Sequence, residues 1–226
     1  MQIKKAIKYQ EELRNRVRIE HIEKKIRIIA GGDVAYNGNI AVAGIVAVSI
    51  PELKVVEKTF SVSEIVFPYI SGFLAFREAP VLLKAIKKLK YSVDVFIFDG
   101  QGIAHPRRIG LASHIGVLIK KPSIGCAKSV LTGNFSLPGI EKSSYTFLYD
   151  EDNIIGAVVR TKTGTRPVVV SVGHKITLIE AIEIVLQCCS EYRIPEPVRL
   201  AHIFANEIIR DIAYTKSNAL TEKEKV

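Results

Sequence analysis

Three acidic residues occupy positions from which they could act together on one ligand. Asp33 follows two glycines at the end of a predicted strand. Asp99 ends the continuous apolar run Val93–Phe98, a pattern typical of a strand buried on both faces. Glu78 falls in the first turns of the helix predicted between those strands. Because ligands gather at the carboxyl ends of strands in open α/β sheets, neighbouring strands would bring these carboxylates together.

Carboxylates that converge without dedicated partners repel one another unless a cation lies between them. Carboxylate oxygens with open water positions suit Mg²⁺. Such a metal can polarise a phosphoryl oxygen and activate a water for in-line attack. The alternative interpretation is that Asp33 and Asp99 only cap turns beside glycines, and their spacing alone does not decide between the two.

The segment Asp99–His114 favours a functional site, because it is denser in glycine and polar residues than an ordinary core segment. Its glycines permit close backbone approach to a ligand. His105 is suited to orienting a water or touching a phosphate, and Arg107 and Arg108 are candidate phosphate contacts. His114 is a further candidate. Arg108 and His114 are equally suited to roles in helix structure and packing.

The periodicity of the chain predicts an α/β fold. An amphipathic helix over residues 3–17 precedes three strands that pair antiparallel, the first two joined by the Asn-Gly turn at Tyr36–Asn39. The elements predicted next are a helix over 73–89, a strand over 93–98, a helix over 108–119, strands over 123–127, 145–149, 154–160 and 168–172, and helices over 178–189 and 198–213. This order predicts a mixed sheet, three antiparallel strands followed by parallel strands, flanked by helices, which is the ribonuclease H-like architecture.

Composition narrows the class of protein. We expect one domain over residues 1–226, with a frayed polar tail from about residue 215. Lys and Arg exceed Asp and Glu by 32 − 23 = 9, which weakly favours a polyanionic partner. No apolar run reaches membrane-spanning length and no secretory signal is evident, so we expect no membrane partner and a cytoplasmic location. Without a long unpaired apolar stretch, we expect a monomer.

Five blocks of sequence, in order over roughly residues 10–210, resemble endonuclease V. They are Gly32-Asp33, Phe67–Glu78, Asp99–His114, Gly125–Lys128 and Arg193–His202. The resemblance implies a DNA repair endonuclease that recognises deoxyinosine, the product of adenine deamination. It implies hydrolysis of the second phosphodiester bond 3′ to the lesion, which leaves 3′-hydroxyl and 5′-phosphate ends and retains the lesion. It also implies a requirement for Mg²⁺, for which Mn²⁺ can substitute.

The same resemblance implies roles for individual side chains. The implied catalytic residues are Asp33, Glu78, Asp99, Lys128 and His105. The implied metal ligands are Asp33, Asp99, Glu78 and His202. Of these, Asp33 and Asp99 match the principal ligands, whereas Glu78 is either a direct ligand or one that acts through a bound water. Lys128 matches a lysine suited to offsetting charge on the phosphate in the transition state.

A wedge and a base pocket are also implied. Tyr69, flanked by Pro68 and Ile70, matches the tip of a wedge that inserts beside the lesion and offsets part of the lost stacking when the base leaves the helix. The implied pocket is formed largely by main chain, and its matching positions are Gly72, Leu74, Gly100, Gly125 and Ala127. Ser71 departs from the family, which commonly has a second proline there, and this removes a φ restraint from the wedge loop.

Two other functions stay open at the level of sequence. A ribonuclease that cleaves inosine in RNA would share these motifs, and a required 2′-hydroxyl beside the scissile phosphate would distinguish it. A non-catalytic nucleic-acid-binding module would predict a broken set of acidic residues. Because Asp33, Glu78 and Asp99 are all present together with Lys128, the sequence disfavours that module.

Overall fold

The computed structural model describes the backbone of residues 3–223 and the side chains of residues 3–215. The helices are α1 (Ile3–Arg14), α2 (Leu74–Ile86), α3 (Leu111–Ile119), α4 (Leu178–Gln187) and α5 (Glu196–Lys223). The strands are β1 (Ile28–Asn37), β2 (Ile40–Ser49), β3 (Val55–Glu64), β4 (Val95–Phe98), β5 (Ser123–Ala127), β6 (Tyr145–Asp150), β7 (Asn153–Val159) and β8 (Val168–His174).

The strands form one sheet in the order β3-β2-β1-β4-β5-β8-β7-β6. Strands β1, β2 and β3 pair antiparallel, as predicted, and β4 is parallel to both β1 and β5. On the other side of the sheet, β5 pairs antiparallel with β8, β8 with β7, and β7 with β6. The predicted ribonuclease H-like mixed sheet is therefore confirmed.

Alternate residues of the central strands enter two different cores, because successive side chains of a strand point to opposite faces. Ile29 of β1 and Val95 of β4 pack with α4 and α5, whereas the adjacent Ala30 and Phe96 pack with α2 and α3. The central strands are thus buried on both faces, as the apolar run before Asp99 predicts. Among the described residues, no helix is both long enough and apolar enough to cross a membrane.

Strand β1 is longer than predicted. It continues past Asp33 to Asn37 as a hairpin with β2, and Gly38 in the turn has a φ of +58°. The prediction that Asp33 ends its strand was therefore wrong. The parallel pairing with β4 nevertheless ends at the pair Gly32–Phe98, so the residues that follow, Asp33 and Asp99, still emerge side by side.

Each helix differs from its predicted bounds at one end or both, and α3 and α5 illustrate this. Helix α3 begins at Leu111 and not at Arg108, because Arg108 has a φ of +57°, which an α-helix does not accommodate. Helix α5 continues beyond the predicted end at Ala213 to Lys223. The predicted tail falls partly on residues 224–226, which lie outside the described residues.

Candidate active site

Two aspartates are brought together by adjacent strands. The backbone N–H of Asp99 points to the carbonyl of Gly32 at 3.4 Å, which continues the β1–β4 pairing to the position of Asp33. Burial raises the pKa of Asp33, and the negative charge of Asp99 raises it further. The two carboxylates are therefore close enough to repel each other.

Helix α2 supplies the third carboxylate. Glu78 is buried, and its Oε1 accepts a hydrogen bond of 2.8 Å from the hydroxyl of Tyr36 at the end of β1. Burial raises the pKa of Glu78 to about 8, the Tyr36 hydrogen bond opposes that change, and the charges of Asp33 and Asp99 add to it. The predicted trio thus converges on one region, although Glu78 is the carboxylate least able to carry a charge by itself.

Helix α5 places an imidazole beside the aspartates. The helix approaches the sheet closely because Gly31 has no side chain: a Cβ there would lie 2.1 Å from the carbonyl carbon of Pro197. A Cβ at Gly44 would likewise lie 2.7 Å from the carbonyl oxygen of Ala201. This packing positions His202, whose Nδ1 lies 2.6 Å from Oδ2 of Asp33.

A lysine side chain contacts the second aspartate of the acidic group. Lys128 follows the last residue of β5, and its Nζ forms an ion pair with Oδ2 of Asp99. Partial burial lowers the pKa of Lys128, but the hydrogen bond and charge of Asp99 outweigh this effect, so the net pKa is raised. Lys128 is therefore a fixed positive charge at the edge of the site.

The donor set fits a hard divalent cation. Three carboxylates with an adjacent imidazole provide oxygen and nitrogen ligands. Burial, with a smaller contribution from the neighbouring carboxylates, raises the pKa values of Asp33 and Glu78, and a bound cation would favour their charged forms. Among the residues that the structure describes, no three carboxylate, imidazole or thiol groups already stand at ligand spacing. Lys128 and His202 contact the aspartates instead. Small side-chain movements would therefore accompany cation binding.

The loop before α2 presents an exposed aromatic ring. The side chains of Phe67 and Phe73 are buried with Ala6, and Ile70 packs against them. Between these anchors, Tyr69 is 73% exposed and the adjacent Pro68 is also exposed. The loop thus has the form that the predicted wedge requires, an anchored base with a ring at its tip.

Three donors converge on the carbonyl of Gly72, where this loop ends. They are Nε2 of Gln10 at 3.0 Å, Nε2 of His105 at 3.0 Å and Nη2 of Arg107 at 2.5 Å. Nδ1 of His105 accepts from the backbone N–H of Arg107, which places the imidazole proton on Nε2. Burial lowers the pKa of His105 to about 4, with a further contribution from the charge of Arg107. His105 is therefore a neutral donor that holds the loop, not a group facing a water or phosphate.

The three predicted phosphate contacts are engaged elsewhere. Arg107 donates from Nε to Oε1 of Gln10 at 2.6 Å and lies over the ring of Phe73. Arg108 forms an ion pair of 2.5 Å with Asp150. His114 is only 4% exposed, and burial lowers its pKa to about 4. In this structure Arg107 and Arg108 are thus held by contacts within the protein, and His114 is buried, so their roles as phosphate contacts stay a prediction.

The residues of the predicted base pocket divide into two groups. Gly72 and Leu74 line a cavity of about 50 Å³ beside His105. Gly125 lies inside β5, where a Cβ would be 2.3 Å from the backbone nitrogen of Gly102. The remaining two, Gly100 and Ala127, are also not among the residues that line this cavity. Gly125 therefore allows the loop after β4 to pack against β5, which is a role in shaping the site.

Sequence reasoning missed Gln10 and Tyr36. Gln10 is fully buried with Ala6 and Leu13 on one face of α1, so a polar residue at an apolar position of the helix was an available signal. Tyr36 was assigned only to a turn. Nothing in its local sequence indicates the contact with Glu78, which is 42 residues away.

Comparison with known proteins agrees with this architecture. The family model for Endonuclease V matches residues 11–203. The chain is 48% identical over 204 residues to Endonuclease V of Dictyoglomus turgidum, covering 90% of each protein. The crystal structure of Endonuclease V from Streptomyces avermitilis is similar with a TM-score of 0.88 and 37% identity, covering 93% of this chain and 94% of that one. Endonuclease V of Ciona intestinalis, solved with a 24mer DNA containing an inosine followed by a ribo-adenosine, has a TM-score of 0.79 and 31% identity, covering 93% of this chain and 98% of that one.

The sheet order, together with carboxylates beside the central parallel strands, defines a nuclease of the ribonuclease H-like class. Within that class, the chain belongs to the endonuclease V family.

Proposed function

We propose that this protein is a deoxyinosine-directed DNA repair endonuclease that cuts the second phosphodiester bond 3′ to the lesion and leaves 3′-hydroxyl and 5′-phosphate ends. The observation that carries the proposal is the convergence of Asp33, Glu78 and Asp99 at the end of the β1–β4 pairing. Family membership supports the same chemistry. The Ciona relative was solved with inosine-containing DNA, which supports the substrate.

Asp33, Asp99 and Glu78 would hold Mg²⁺, or Mn²⁺ in its place, with His202 adjacent. When bound, the ion supplies Lewis-acid polarisation of the phosphate and a more acidic water. Lys128 offers positive charge to the phosphate as negative charge develops. The hydrogen bond from Tyr36 partly opposes the effect of burial on the pKa of Glu78 and so favours the charged form that a cation requires.

Tyr69 would enter the base stack while the lesion leaves it. The apolar anchors beneath the loop and the three donors on the Gly72 carbonyl hold the loop while the ring is inserted. A base that pairs poorly costs less to extrude, so part of the selectivity arises before the pocket is reached. The remainder lies in the cavity beside Gly72 and Leu74.

Inosine in RNA is the second candidate substrate, because the Ciona complex has a ribo-adenosine after the inosine. One experiment separates the two. Duplexes of identical sequence carrying deoxyinosine, deoxyinosine followed by ribo-adenosine, or adenine, together with an inosine RNA, are incubated with Mg²⁺ or with EDTA. The cut position and the end groups are then mapped.

We expect cutting of the all-DNA deoxyinosine substrate with Mg²⁺ only, at the second bond 3′ to the lesion. Cutting only where a 2′-hydroxyl is present would move the assignment to RNA. Equal cutting of the adenine duplex would contradict a lesion-directed enzyme.

Three further expectations complete the proposal. The chain acts as a single domain over residues 1–226, it works as a monomer, and it is located in the cytoplasm. Sedimentation at working concentration tests the monomer directly.

A further inference from the structure

Helix α1 lies between the loop that carries Tyr69 and the segment that leads into α3. Its buried residues share one face, because they are spaced by three and four positions: Ala6, Gln10 and Leu13. The first of them packs with Phe67 and Phe73, the anchors of the Tyr69 loop. The last packs with Ile109, just before α3. The helix therefore contacts both segments, and its buried glutamine lies between the two apolar contacts.

Both ends of the Gln10 amide are hydrogen-bonded, although the side chain is fully buried. Nε2 donates to the carbonyl oxygen of Gly72 at 3.0 Å, and Oε1 accepts from Nε of Arg107 at 2.6 Å. Nη2 of Arg107 donates to the same Gly72 carbonyl, so the three groups close a ring of hydrogen bonds. Because a carbonyl oxygen only accepts and a guanidinium only donates, these partners fix the orientation of the amide.

An apolar side chain at position 10 would pack on the same face of α1 with no polar group to satisfy. A buried amide adds little net stability, since it exchanges hydrogen bonds with water for hydrogen bonds with protein. What a fully satisfied buried network adds is a fixed geometry. Here it fixes Gly72, where the chain turns with a φ of +77° before α2, relative to Arg107 in the loop after β4.

We propose that Gln10 is a positioning residue for the wedge, which holds the loop Phe67–Gly72 in the orientation from which Tyr69 enters the base stack. This inference rests on the proposed function, in particular on the role of Tyr69. Gln10 is fully buried and so does not touch the nucleic acid; it acts through the carbonyl of Gly72. Since α1 carries Gln10, the N-terminal helix takes part in recognition of the lesion.

Loss of the Gln10 amide should act mainly on the damaged duplex. The Gly72 carbonyl loses one donor and Arg107 loses its acceptor, so ordering the loop for insertion of Tyr69 costs more entropy. Undamaged duplex, from which no base is extruded, requires no insertion. A protein without the ring at position 69 gains nothing from an ordered loop, so the two changes should not be additive.

The test is a double-mutant cycle. Dissociation constants are measured in EDTA for wild type, Gln10→Met, Tyr69→Ala and the double variant, each with a deoxyinosine duplex and with an undamaged duplex of otherwise identical sequence. Gln10→Met keeps the length of the side chain but removes both hydrogen bonds. Gln187→Met, at an exposed position at the end of α4, is the matched control. Thermal unfolding verifies the fold, and Gln10→Glu, which removes only the donor to Gly72, replaces Gln10→Met if that variant does not fold.

We expect Gln10→Met to weaken binding of the deoxyinosine duplex about 5- to 10-fold and binding of the undamaged duplex less than about 2-fold. In the Tyr69→Ala background, the same change should weaken binding of the deoxyinosine duplex less than about 2-fold. Gln187→Met should change neither affinity. A purely structural role predicts equal losses on both duplexes, with and without Tyr69, and either result would contradict the proposal. No loss in Gln10→Met would contradict it as well.

Wild type and Tyr69→Ala separate this inference from the proposed function. Absence of deoxyinosine cutting by wild type with Mg²⁺, or an unchanged lesion affinity in Tyr69→Ala, contradicts the proposed function and the inference with it. Cutting by wild type and a weakened lesion affinity in Tyr69→Ala, combined with an additive effect of Gln10→Met, contradict only the role of Gln10.

Discussion

The hydroxyl of Tyr36 donates a hydrogen bond of 2.8 Å to Oε1 of Glu78 and thereby connects the end of β1 to helix α2. The guanidinium of Arg77 lies 4.6 Å from the centre of the same tyrosine ring. Burial raises the pKa of Glu78 to about 8, and the Tyr36 hydrogen bond is the largest effect that opposes it. Tyr36 is therefore a positioning residue, which favours the charged form of a carboxylate that it also orients.

Replacing Tyr36 by Phe should raise the Mg²⁺ concentration needed for half-maximal nicking. A hydrogen bond to a charged group is worth roughly 1.5–3 kcal/mol, so we expect an increase of about 10-fold or more. The maximal rate at saturating Mg²⁺ should change much less. The matched control is Tyr145→Phe, at a half-exposed position on β6. An unchanged Mg²⁺ requirement in Tyr36→Phe would show that the Tyr36 hydroxyl does not assist cation binding through Glu78.

The raised pKa of Glu78 predicts a pH dependence of stability in metal-free protein. The folded state keeps a proton on Glu78 up to about pH 8, whereas the unfolded chain loses it near the ordinary value of 4.5. The folded state therefore binds more protons in this range, and its stability falls as pH rises. The buried histidines His105 and His114, with pKa values lowered to about 4, act in the opposite direction below pH 6.5.

Between pH 6.5 and 8 the effect of Glu78 should dominate. In EDTA, the free energy of unfolding should fall by about 1 kcal/mol per pH unit, because one proton is linked to folding. Chemical denaturation at several pH values measures this slope. Glu78→Gln should flatten it, and saturating Mg²⁺ should reverse it. A slope that is the same in Glu78→Gln and in wild type would show that other groups are responsible.

Removal of the exposed ring at Tyr69 should affect recognition of the lesion. Tyr69→Ala should weaken binding of deoxyinosine duplex about 10-fold, since the ring offsets lost stacking worth roughly 1–3 kcal/mol. Binding of undamaged duplex should change less than about 2-fold, because it requires no base extrusion. Tyr214→Ala is the control, since Tyr214 is 71% exposed but lies on α5. Equal losses on damaged and undamaged duplex would argue against a wedge.

How much of the site the sequence could predict depends on how far apart in the sequence the contacting residues lie. The positions of Asp33 and Asp99 in the site were predictable, because apolar runs and glycines locate the strands that precede them, and ligands gather at the carboxyl ends of such strands. Arg107, Arg108 and His114 were not, because a residue type does not indicate its neighbours. Arg107 contacts Gln10, which is 97 residues away, and Arg108 contacts Asp150. The succession of helices and strands along the chain was predictable from their periodicity, whereas the end of β1 was not, since hairpin pairing with β2 extends it beyond Asp33.

The most direct measurement of the central claim is the single-turnover nicking rate of a deoxyinosine duplex with Mg²⁺, for wild type, Asp99→Asn and the exposed control Asp152→Asn. Asn preserves the shape of the side chain but removes the charge that a cation requires. We predict that Asp99→Asn loses at least roughly 10²- to 10³-fold in rate, a loss typical of removing one electrostatic contact from a transition state. Its affinity for the duplex should stay within about 5-fold, and Asp152→Asn should nick normally. Nicking by Asp99→Asn at the wild-type rate would contradict the assignment of the active site.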